Sequence, residues 1–473
     1  MKYETVIGLE IHAELSTKTK AFCACEYSFG GEVNTQCCPV CAAMPGALPV
    51  LNKAVIDYAL KIGLATDCSI NKTSKFDRKN YFYPDLPGAY QHTQDNIPIC
   101  ENGKMEFFHN GEKRVAKLNR IHMEEDTAKL LHMEGETLID FNRCGVPLIE
   151  IVTEPDFRSK EEVRDFLEAL RILLATLDIC NCKMQEGAIR FDVNVSVRPF
   201  GQKVYGTRVE MKNVSSFSGA VLAIEYESNR QIQVLESGGT LRQETRRWDE
   251  QRNESVSMRT KETAADYRYF PEPNLLPLVV NDAWINDIKS TLPELPIAKL
   301  ERYQSLGVPK AESLMLIEQT DKSAFFDECM YLGANPKNAA ILVMGHITAI
   351  LNKSGATIEE TSITPKTLHE TLQMVEKGEI NLDAGKRVLD EIFETKESPK
   401  AIVQRLGLAQ VSDEGELRQL VETILAANAK SIEDYKNGKS NAFAFLVGQC
   451  MKASKGKANP QVVNALIREM IEN

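Results

Sequence analysis

Several stretches before residue 290 alternate strictly between apolar and polar side chains, and this pattern constrains the fold more than any other feature. In TVIGLEIHAEL, the apolar residues Ile7, Leu9 and Ile11 fall on one side of an extended chain. Glu10 and His12 fall on the other side, and RFDVNVSVRP and GTRVEMKNV repeat the pattern. A period of two is that of a β-strand with one buried face. The first part of the chain is therefore predicted to form a sheet with one apolar and one charged face.

Two longer stretches have apolar residues at helical spacing instead. KEEVRDFLEALRILLATLDI follows Ser159, a suitable N-cap, and FSGAVLAIEYESNRQIQVLESGG ends at Gly238 and Gly239. Strands and helices mixed in this way are typical of an α+β domain. We therefore predict an α+β fold with a mixed, largely antiparallel sheet, followed by all-α domains.

Two proline-rich segments, YFPEPNLLPLVV and then STLPELPIAKL, are predicted to form the boundary at the end of the α+β domain. From about Leu295 the spacing of apolar residues is helical almost throughout. A chain of 473 residues has room for about two to four domains. We predict an α+β domain over 1–293 that includes a cysteine-rich segment at 23–41, a helical domain over 294–408 and a helical tail domain over 409–473.

The formal net charge of -11 excludes a wholly basic nucleic-acid binder but allows a local basic patch. The opening MKYETVIGLEIHAEL has no long apolar run of the signal-peptide type, and no run of ~18 apolar residues predicts a transmembrane helix. Twelve cysteines in such a chain indicate reduced thiols and metal ligands rather than disulfides. The cytoplasm is therefore the expected compartment.

Five of the cysteines lie in FCACEYSFGGEVNTQCCPVC. Cys23-x-Cys25 and Cys38-x-x-Cys41 have the spacing of a structural zinc site, in which two short turns supply two thiolates each. Four thiolates leave no open coordination position, so such a zinc ion would brace the fold without taking part in a reaction. Cys37 is the alternative third ligand, although the Pro-Val before Cys41 favours Cys38. A set of buried thiols without metal is the other interpretation.

Carboxylates and one histidine interrupt the apolar strands. Glu10 and His12 share one strand face, and Glu150 stands inside the apolar run VPLIEIV, where a carboxylate is costly unless it is paired or binds a metal. IHMEEDTAK adds Glu124 and Glu125 in succession, and alternation alone selects one as readily as the other. Oxygen ligands with one imidazole suit magnesium or manganese. Solvated surface acids are the alternative interpretation.

The chain has no GxxxxGK[ST] loop and no kinase or Rossmann glycine pattern. A bound nucleotide would therefore lie on the sheet, held by metal ions and basic side chains. For each strand residue taken alone, exposure to solvent is the simpler explanation. The candidate nucleotide contacts are Lys75, Arg78, Lys79, Arg190, Asp192, Asn194, Glu210, Lys212, Asn213, Arg268 and Glu272.

Eight motifs can be read along the chain: IGLEIHAEL, CPVC-x-x-MPGALPVLN, FDRKNYFYPDLP, GVPLIEIVTEPDFRS, FDVNVSVRP, VEMKNVSSF, QETRRWDE and DYRYFPEPN. They resemble those of the GatB component of the tRNA-dependent amidotransferase, the GatCAB enzyme of bacteria and organelles. The resemblance extends from residue 3 to FLVGQCMKASKGKANP near the end of the chain. The archaeal paralogue family has a large insertion, for which this chain is too short.

The resemblance implies that the α+β domain is a catalytic domain similar to glutamine synthetase. It implies an ATP-dependent ligase that converts Glu-tRNA(Gln) to Gln-tRNA(Gln), Asp-tRNA(Asn) to Asn-tRNA(Asn), or both. This component of the enzyme would phosphorylate the side-chain carboxylate with ATP and Mg²⁺ and let ammonia displace the phosphate. An amidase-type glutaminase, the A component of GatCAB, would release that ammonia from glutamine, and the small C component would complete the heterotrimer.

The resemblance also assigns roles to particular residues. Lys79 lies where the family places a lysine on the ammonia path, beside the metal-binding acids. The chain departs from the family at Gly88, where a second lysine is usual, and at Asn274, where the usual residue is aspartate. A gating role for residue 88 is therefore not carried over. The metal ligands that the resemblance implies are Glu10, His12, Glu125 and Glu150.

The tail from Lys430 to Arg468 has seven basic residues against Glu433 and Asp434, which gives a local charge near +5 in an acidic protein. Lysine and arginine contact phosphates without reading sequence, so the tail is expected to bind tRNA. A solvated helical face is the alternative. The candidate tRNA contacts are Lys436, Lys439, Lys452, Lys455 and Lys457.

A function of a different class, a non-catalytic zinc-stapled RNA-binding scaffold, is the alternative to the amidotransferase. A stand-alone ligase similar to glutamine synthetase is a third possibility, which the basic tail disfavours. Replacing Glu125 with Ala would separate the enzyme from the scaffold, because only the enzyme would lose ATP- and glutamine-dependent amidation.

Overall fold

The structure is a computed structural model, and it describes residues 2–260, 264–410, 414–436, 439–454 and 458–472. The chain divides into two compact units, Met1–Ala298 and Lys299–Asn473. The three domains predicted from the sequence, with boundaries at 293 and 408, stay a prediction.

The first unit contains a nine-stranded sheet. Its strands, with those of three smaller sheets, are β1 (Tyr3–Glu14), β2 (Ser69–Ile70), β3 (Thr73–Ser74), β4 (Asp77–Asn80), β5 (Tyr90–Thr93), β6 (Cys100–His109), β7 (Glu112–Glu125), β8 (Lys129–Met133), β9 (Glu136–Asp140), β10 (Pro147–Thr153), β11 (Ile189–Pro199), β12 (Val209–Val214), β13 (Glu244–Asp249), β14 (Glu254–Thr260), β15 (Phe270–Pro271) and β16 (Leu278–Val279). The order in the large sheet is β14-β13-β12-β11-β1-β10-β7-β6-β2. Among the strand pairs of this sheet within the described residues, only β12 and β13 run parallel to each other, so the predicted mixed, largely antiparallel sheet is confirmed.

β1 lies between β10 and β11 in the middle of the sheet, and its register decides which side chains meet. Glu10 is paired with Asp192 of β11, and His12 is paired with Glu150 of β10. Directly paired residues point to the same face of a sheet. The charged side chains of three strands therefore gather on one face, while the apolar residues of β1 are buried in the core on the other.

Helices cover the apolar face. Ser159 accepts a hydrogen bond from the backbone N–H of Glu162 at 3.1 Å, which confirms it as the N-cap of the second helix. The rings of Phe107, Phe157 and Phe166 pack together where that helix meets the sheet, with centroids 4.9–6.2 Å apart. The helices of the first unit are α1 (Lys53–Ala65), α2 (Lys160–Thr176), α3 (Phe217–Glu236), α4 (Ala264–Tyr267) and α5 (Asp282–Ser290), with a 3₁₀ turn at Met184–Glu186.

The named elements in the described part of the second unit are all helices or helical turns, as the sequence predicts. None of the described helices has both the length and the apolar character needed to cross a lipid bilayer. Its elements are α6 (Pro296–Ser305, which starts in the first unit), α7 (Lys310–Glu318), α8 (Thr320–Tyr331), α9 (Pro336–Ile341), a π-helical turn (Leu342–Ile347), α10 (Thr348–Ser354), a 3₁₀ turn (Ile358–Glu360), α11 (Pro365–Glu376), α12 (Leu382–Thr395), α13 (Pro399–Leu406), α14 (Glu414–Ala427), α15 (Ala429–Lys436), α16 (Ser440–Ala453) and α17 (Pro460–Glu472).

Candidate active site

The charged face of the sheet forms the floor of a cavity of about 600 Å³. Lys79 of β4 and the tyrosines Tyr81, Tyr267 and Tyr269 also line it. A cavity of this size is large enough for a nucleotide. The predicted site residues that the structure brings to this cavity are Glu10, His12, Lys79, Glu150, Arg190, Asp192, Glu210 and Lys212.

A first cluster of ligand groups joins β1, β7 and β10. The imidazole Nε2 of His12 lies 3.3 Å from an oxygen of Glu150 and 3.7 Å from an oxygen of Glu124. The ligand atoms of these three residues all lie within 4.8 Å of one another, which is close enough for one metal ion. His122 lies beside the same two carboxylates, with its Nε2 at 3.2 Å from Glu150 and 3.4 Å from Glu124.

His122 is not among the site residues predicted from the sequence. A signal for it was present, because His122 and Glu124 are two residues apart and therefore share a strand face. Its register partner is Glu150, on the neighbouring strand β10. The histidine thus supplies a positive charge to the two carboxylates: burial alone would lower the pKa of His122, but Glu150 and Glu124 outweigh burial and raise it to about 9.

The two carboxylates of this cluster stay ionised. Burial alone would raise the pKa of Glu124, but the charge of Lys79 and the hydrogen bond from His122 lower it to about 2. The pKa of Glu150 is also held well below its usual range, because His122 and His12 outweigh the effect of burial. Burial alone would lower the pKa of Lys79, but Glu124 and Glu150 raise it. The cavity therefore presents two anions and a charged lysine.

A second cluster lies beside the first on the same face. Glu10, Asp192 and Glu210, from β1, β11 and β12, have ligand oxygens within 4.8 Å of one another. The amide of Asn194 donates to Glu10 at 2.9 Å, and the ammonium of Lys212 pairs with Asp192 at 2.5 Å. Asp192 and Glu210 are predicted from the sequence as nucleotide contacts, whereas the structure groups them with Glu10 as a possible metal-binding set.

The donor chemistry of both clusters fits a divalent cation such as magnesium or manganese, which prefers carboxylate oxygens. Glu10 and His12 are two residues apart on β1, a distance of about 7 Å along a strand. The sequence predicts a single metal site formed by these acids, whereas the structure has two adjacent ligand clusters that could each hold one ion. Two ions on such a face would neutralise and align phosphate oxygens during phosphoryl transfer.

The expectation that Glu125 joins these ligands is corrected by the structure. Successive residues of a strand point to opposite faces, and Glu124 occupies the side that faces His12. Glu125 instead accepts a hydrogen bond from the backbone N–H of His92 at 3.1 Å and contacts the Nδ1 of the same residue at 2.5 Å. It lines a different cavity, of about 350 Å³, together with Cys41 and Gly88.

A buried chain of charges continues from Glu125 on that side. The Nε2 of His92 lies 3.1 Å from Glu272, and the Arg78 guanidinium donates to both oxygens of Glu272 at 2.5 and 3.0 Å. Arg78 and Glu272, two candidate nucleotide contacts, are therefore paired with each other. Asn274 donates its backbone N–H to Glu272 at 2.8 Å, a bond that does not depend on its side chain.

The remaining candidate nucleotide contacts have different surroundings. The guanidinium of Arg190 donates to Asp126 at 2.7 Å and lines the large cavity. The ammonium of Lys75 lies 3.3 Å from Asp77. Asn213 donates its side-chain amide to the carbonyl of Trp248 at 3.2 Å, and Arg268 is held by its backbone carbonyl, which accepts from Asn80 at 2.8 Å. Only Arg190 of these groups faces the cavity.

The cysteine segment forms a third cluster. The sulfur atoms of Cys23, Cys25, Cys38 and Cys41 all lie within 4.8 Å of one another, and four thiols at this separation could hold a metal ion. The sulfur of Cys37 turns away and contacts the carbonyl of Asn34 at 3.4 Å. This is the ligand set that the sequence favours.

Lys20 is fully buried beside this cluster. Its ammonium lies 3.6 Å from the sulfur of Cys41 and 3.5 Å from the carbonyl oxygen of Phe141. A hydrogen bond from Cys23 lowers the pKa of the Cys41 thiol to about 5 against the effect of burial, and the charge of Lys20 acts in the same direction. A buried ammonium is costly without a nearby anion, so the Cys41 thiolate is its natural counter-charge.

Two of the candidate tRNA contacts, Lys436 and Lys452, lie on α15 and α16 of the tail. Lys436, Lys439 and Lys452 are exposed, and Lys439 pairs with Asp434 at 2.8 Å. Lys455 and Lys457 lie outside the described residues.

Comparison with known proteins gives full-length matches. The family model of the GatB/GatE catalytic domain matches residues 5–286, and that of the GatB domain matches residues 324–471. The B subunit of the aspartyl/glutamyl-tRNA(Asn/Gln) amidotransferase of Caldicellulosiruptor bescii is 54% identical over 478 residues, 100% of both chains. Proteins of the same name from Clostridium tetani and Thermoanaerobacter pseudethanolicus are each 49% identical, over 99% or more of both chains.

Proposed function

The chain belongs to the GatB family of tRNA amidotransferase subunits, and on this premise we propose that the charged face of its sheet is the site of phosphoryl transfer. Its relatives are named as the B subunit of an aspartyl/glutamyl-tRNA(Asn/Gln) amidotransferase, so the function is glutamine-dependent amidation of tRNA-bound Asp or Glu within a multi-subunit ligase. The alternative of a non-catalytic RNA-binding scaffold is not retained.

In the proposed reaction, the γ-phosphoryl group of ATP moves to the side-chain carboxylate of Glu-tRNA(Gln) or Asp-tRNA(Asn), and ADP leaves. Ammonia then attacks the acyl carbon, phosphate leaves with the bonding electrons, and a proton is lost to give the amide. No protein nucleophile is needed. His12, Glu124 and Glu150 would hold one Mg²⁺, and Glu10, Asp192 and Glu210 a second, which supply charge neutralisation.

The chain's own cations have separate roles in this proposal. The ammonium of Lys79 faces the cavity and is kept charged by Glu124 and Glu150, so it can donate hydrogen bonds to the transferred phosphoryl group. Lys212 and Arg190 are tied to Asp192 and Asp126 and hold those carboxylates in place. The zinc ion that Cys23, Cys25, Cys38 and Cys41 would bind is structural.

The partners follow from the same reaction. A glutaminase of the amidase type, the A component of the amidotransferase, would supply ammonia, and the small C component would complete the complex. The tail lysines would contact the tRNA backbone. The cytoplasmic location stays a prediction from the sequence.

The observation that carries the proposal is the pair of acid clusters on one face of a nucleotide-sized cavity. Replacing Glu124 with Gln removes one ligand charge from that face and is expected to lower ATP- and glutamine-dependent amidation by the assembled enzyme about 100-fold or more. ADP formation dependent on the aminoacyl-tRNA should fall equally, because phosphoryl transfer is the step affected. Undiminished ADP formation in Glu124→Gln would show that this face is not the phosphoryl-transfer site.

A further inference from the structure

Two cysteines of the first unit lie close together, apart from the zinc cluster and from the charged face of the sheet. Cys180 and Cys182 are separated by Asn181 in the segment that joins α2 to β11. Both are buried, with 4% of Cys180 and 8% of Cys182 exposed, whereas Asn181 is exposed. Within the described residues, neither cysteine belongs to a set of three possible metal ligands. The pair is therefore better suited to thiol chemistry than to a structural metal site, which takes four ligands.

The chain turns between the two cysteines and brings their sulfur atoms together. The backbone N–H of Cys182 donates to the sulfur of Cys180 at 3.2 Å, and the two thiols hydrogen-bond each other. Residues two apart have Cα atoms no more than about 7 Å apart even in an extended chain, and a turn shortens this distance. The Cα atoms of a disulfide are usually about 4.4–6.8 Å apart. A disulfide between these two residues therefore requires only a small local adjustment.

The turn holds Cys182 in an unusual backbone conformation. Its φ of 54° lies in the left-handed region, which is uncommon for residues other than glycine, asparagine and aspartate. Such a conformation persists only where the surrounding contacts maintain it. The Cys182 thiol donates to the carbonyl of Arg171 at 3.6 Å, and the Cys180 thiol donates to the carbonyl of Ala188 at 3.6 Å. Both contacts need the thiol hydrogens, which oxidation to a disulfide removes.

The two thiols differ in acidity. The hydrogen bond from Cys180, assisted by the charge of Arg171, lowers the pKa of Cys182 against the effect of burial. The same hydrogen bond, together with burial, raises the pKa of Cys180. The thiolate is the reactive form of a cysteine, so Cys182 is the attacking sulfur and Cys180 is the thiol that reacts with its first product.

The turn is bonded to the strand ends beside the charged face. The backbone N–H of Glu14, at the end of β1, donates to the carbonyl of Ala188 at 2.8 Å. This is the same carbonyl that accepts from the Cys180 thiol. Two residues further along the chain, Arg190 donates to Asp126 at 2.7 Å and lines the large cavity. A shift of the turn therefore acts directly on the start of β11, where a cavity-lining residue lies.

We propose that Cys180 and Cys182 form a redox-sensitive site, in which a hydroperoxide such as hydrogen peroxide joins them in a reversible disulfide that lowers amidation by the complex. The Cys182 thiolate attacks one peroxide oxygen, the O–O bond breaks, and the leaving hydroxide takes up a proton and becomes water. The Cys180 thiol then loses its proton and attacks the sulfur of the sulfenic acid on Cys182. The S–S bond forms, the S–O bond breaks, and a second water leaves. In all, the two thiols lose two electrons and two protons, and the peroxide becomes two waters.

A bridge across a single residue is expected to be easily reduced. Disulfides stabilise a protein mainly by restricting its unfolded chain, and this effect is smallest for short loops. Strained disulfides also have more oxidising potentials, and these are the labile and regulatory ones. A small thiol reductant therefore returns the oxidised site to the dithiol.

The test treats the assembled complex with graded hydrogen peroxide, blocks the remaining thiols and maps tryptic peptides by mass spectrometry. Trypsin cleaves after Arg171 and Lys183, so one peptide, ILLATLDICNCK, contains both cysteines and no other. In the unmodified chain this peptide should lose two hydrogen atoms, and amidation should fall at least about threefold, because small displacements near a reaction site are costly. Dithiothreitol should restore both, and the zinc content should stay constant.

Cys180→Ser and Cys182→Ser each remove one partner and should retain amidation under the same peroxide treatment. Cys329→Ser removes a buried cysteine of the second unit and is the matched control, which should respond to peroxide as the unmodified chain does. Thermal melting and zinc content show whether each variant is folded, and the peptide map of the unmodified chain needs no variant.

A peptide that stays reduced at peroxide levels that already release zinc would overturn the inference. So would a disulfide in the unmodified chain without a loss of amidation. An equal, reductant-reversible loss of amidation in the unmodified chain, Cys180→Ser and Cys182→Ser would also overturn it, because the loss would then come from other cysteines.

Discussion

Glu124 and Glu125 are neighbours in the sequence and belong to different parts of the molecule. Because a strand alternates, one carboxylate faces His12 and Glu150, and the other faces His92. The alternation of IHMEED left the choice open, and the family resemblance selected Glu125. The register of β7 against β10 decides for Glu124, and register depends on the whole sheet rather than on local sequence.

His92 predicts a pH dependence of stability. Burial alone would lower its pKa, but Glu125 and Glu272 raise it from its ordinary value of 6.5 to about 9 in the folded state. The folded chain therefore binds this proton more tightly, so the stabilisation is complete below pH 6.5 and is lost as the pH rises through 9. We expect the contribution of His92 to the free energy of unfolding to fall by an amount on the order of 3 kcal/mol over this window.

Denaturant unfolding at several pH values, compared between the unmodified chain and His92→Gln, measures this contribution by difference. The control is His132→Gln, because His132 is exposed on β8. A His92→Gln variant whose stability decreases with pH as steeply as that of the unmodified chain would contradict the account.

The zinc site gives a second prediction at the level of single residues. Cys38→Ser should lose the zinc ion, because it removes one of four thiolates, and Cys37→Ser should keep it.

Lys20→Met removes the cation beside Cys41 with little change in volume and is expected to weaken zinc binding about tenfold. Metal analysis and competition with a chelator of known affinity measure both effects.

Lys18→Met, which changes a lysine two residues from Lys20 and outside the cluster, is the matched control for the loss of charge. Zinc retained by Cys38→Ser, or lost by Cys37→Ser, would show that the ligand set is wrong. Equal zinc affinity in Lys20→Met and the unmodified chain would show that the buried ammonium does not act on the site.

At the scale of elements, the strands and helices with a regular apolar period could be predicted from the sequence. Features that depend on residues far apart in the chain could not. The strands β1, β11 and β12 and the helices α2 and α3 follow from periodicity, caps and glycines, and the structure has them at the expected positions. The separation of β10 from β1 beyond Glu10 could not be predicted, because it depends on the side chain of Thr153 replacing a backbone carbonyl. His122 was missed although its spacing from Glu124 is a local signal, and its pairing with Glu150 depends on the register of another strand.

The N-cap of α2 gives a prediction at this scale. Ser159→Ala leaves the N–H of Glu162 without its acceptor and should lower the free energy of unfolding by about 1 kcal/mol. Ser237→Ala is the control, because Ser237 follows the last residue of α3 and its hydroxyl donates to the carbonyl of Val234 within that helix. This variant should change stability by less than about 0.5 kcal/mol. Equal losses in the two variants, measured by denaturant unfolding, would argue against a capping role.

At the scale of the whole molecule, charges of opposite sign are concentrated in two regions, for which we propose different functions. A net charge of -11 coexists with a basic tail, and the acids of the sheet face gather where two cations and a triphosphate would balance them. The overall composition predicts neither placement, although the local sequence from Lys430 to Arg468 does locate the basic tail. The family resemblance predicted the reaction and the general fold, whereas the assignment of Asp192 and Glu210 to a second ligand cluster required the three-dimensional arrangement.

The tail predicts a salt-dependent contribution to tRNA binding. Replacing Lys436, Lys439 and Lys452 with Gln removes three phosphate contacts and should weaken tRNA binding by the complex. The slope of log K against log salt should become shallower by about 2, at roughly 0.7–0.9 per contact. The control replaces Lys366, Lys377 and Lys400, which are also exposed and lie in the same unit before the tail. Equal effects of the two triple variants would show a non-specific charge effect.

The central claim, that two adjacent clusters on the sheet face bind divalent ions, is tested most directly by counting Mn²⁺ ions bound to the full chain by equilibrium dialysis with electron paramagnetic resonance. The account predicts two ions for the unmodified chain, one each for Glu150→Gln and Asp192→Asn, and two for Glu125→Gln. Loss of an ion from Glu125→Gln, with both retained by Glu150→Gln and Asp192→Asn, would contradict it.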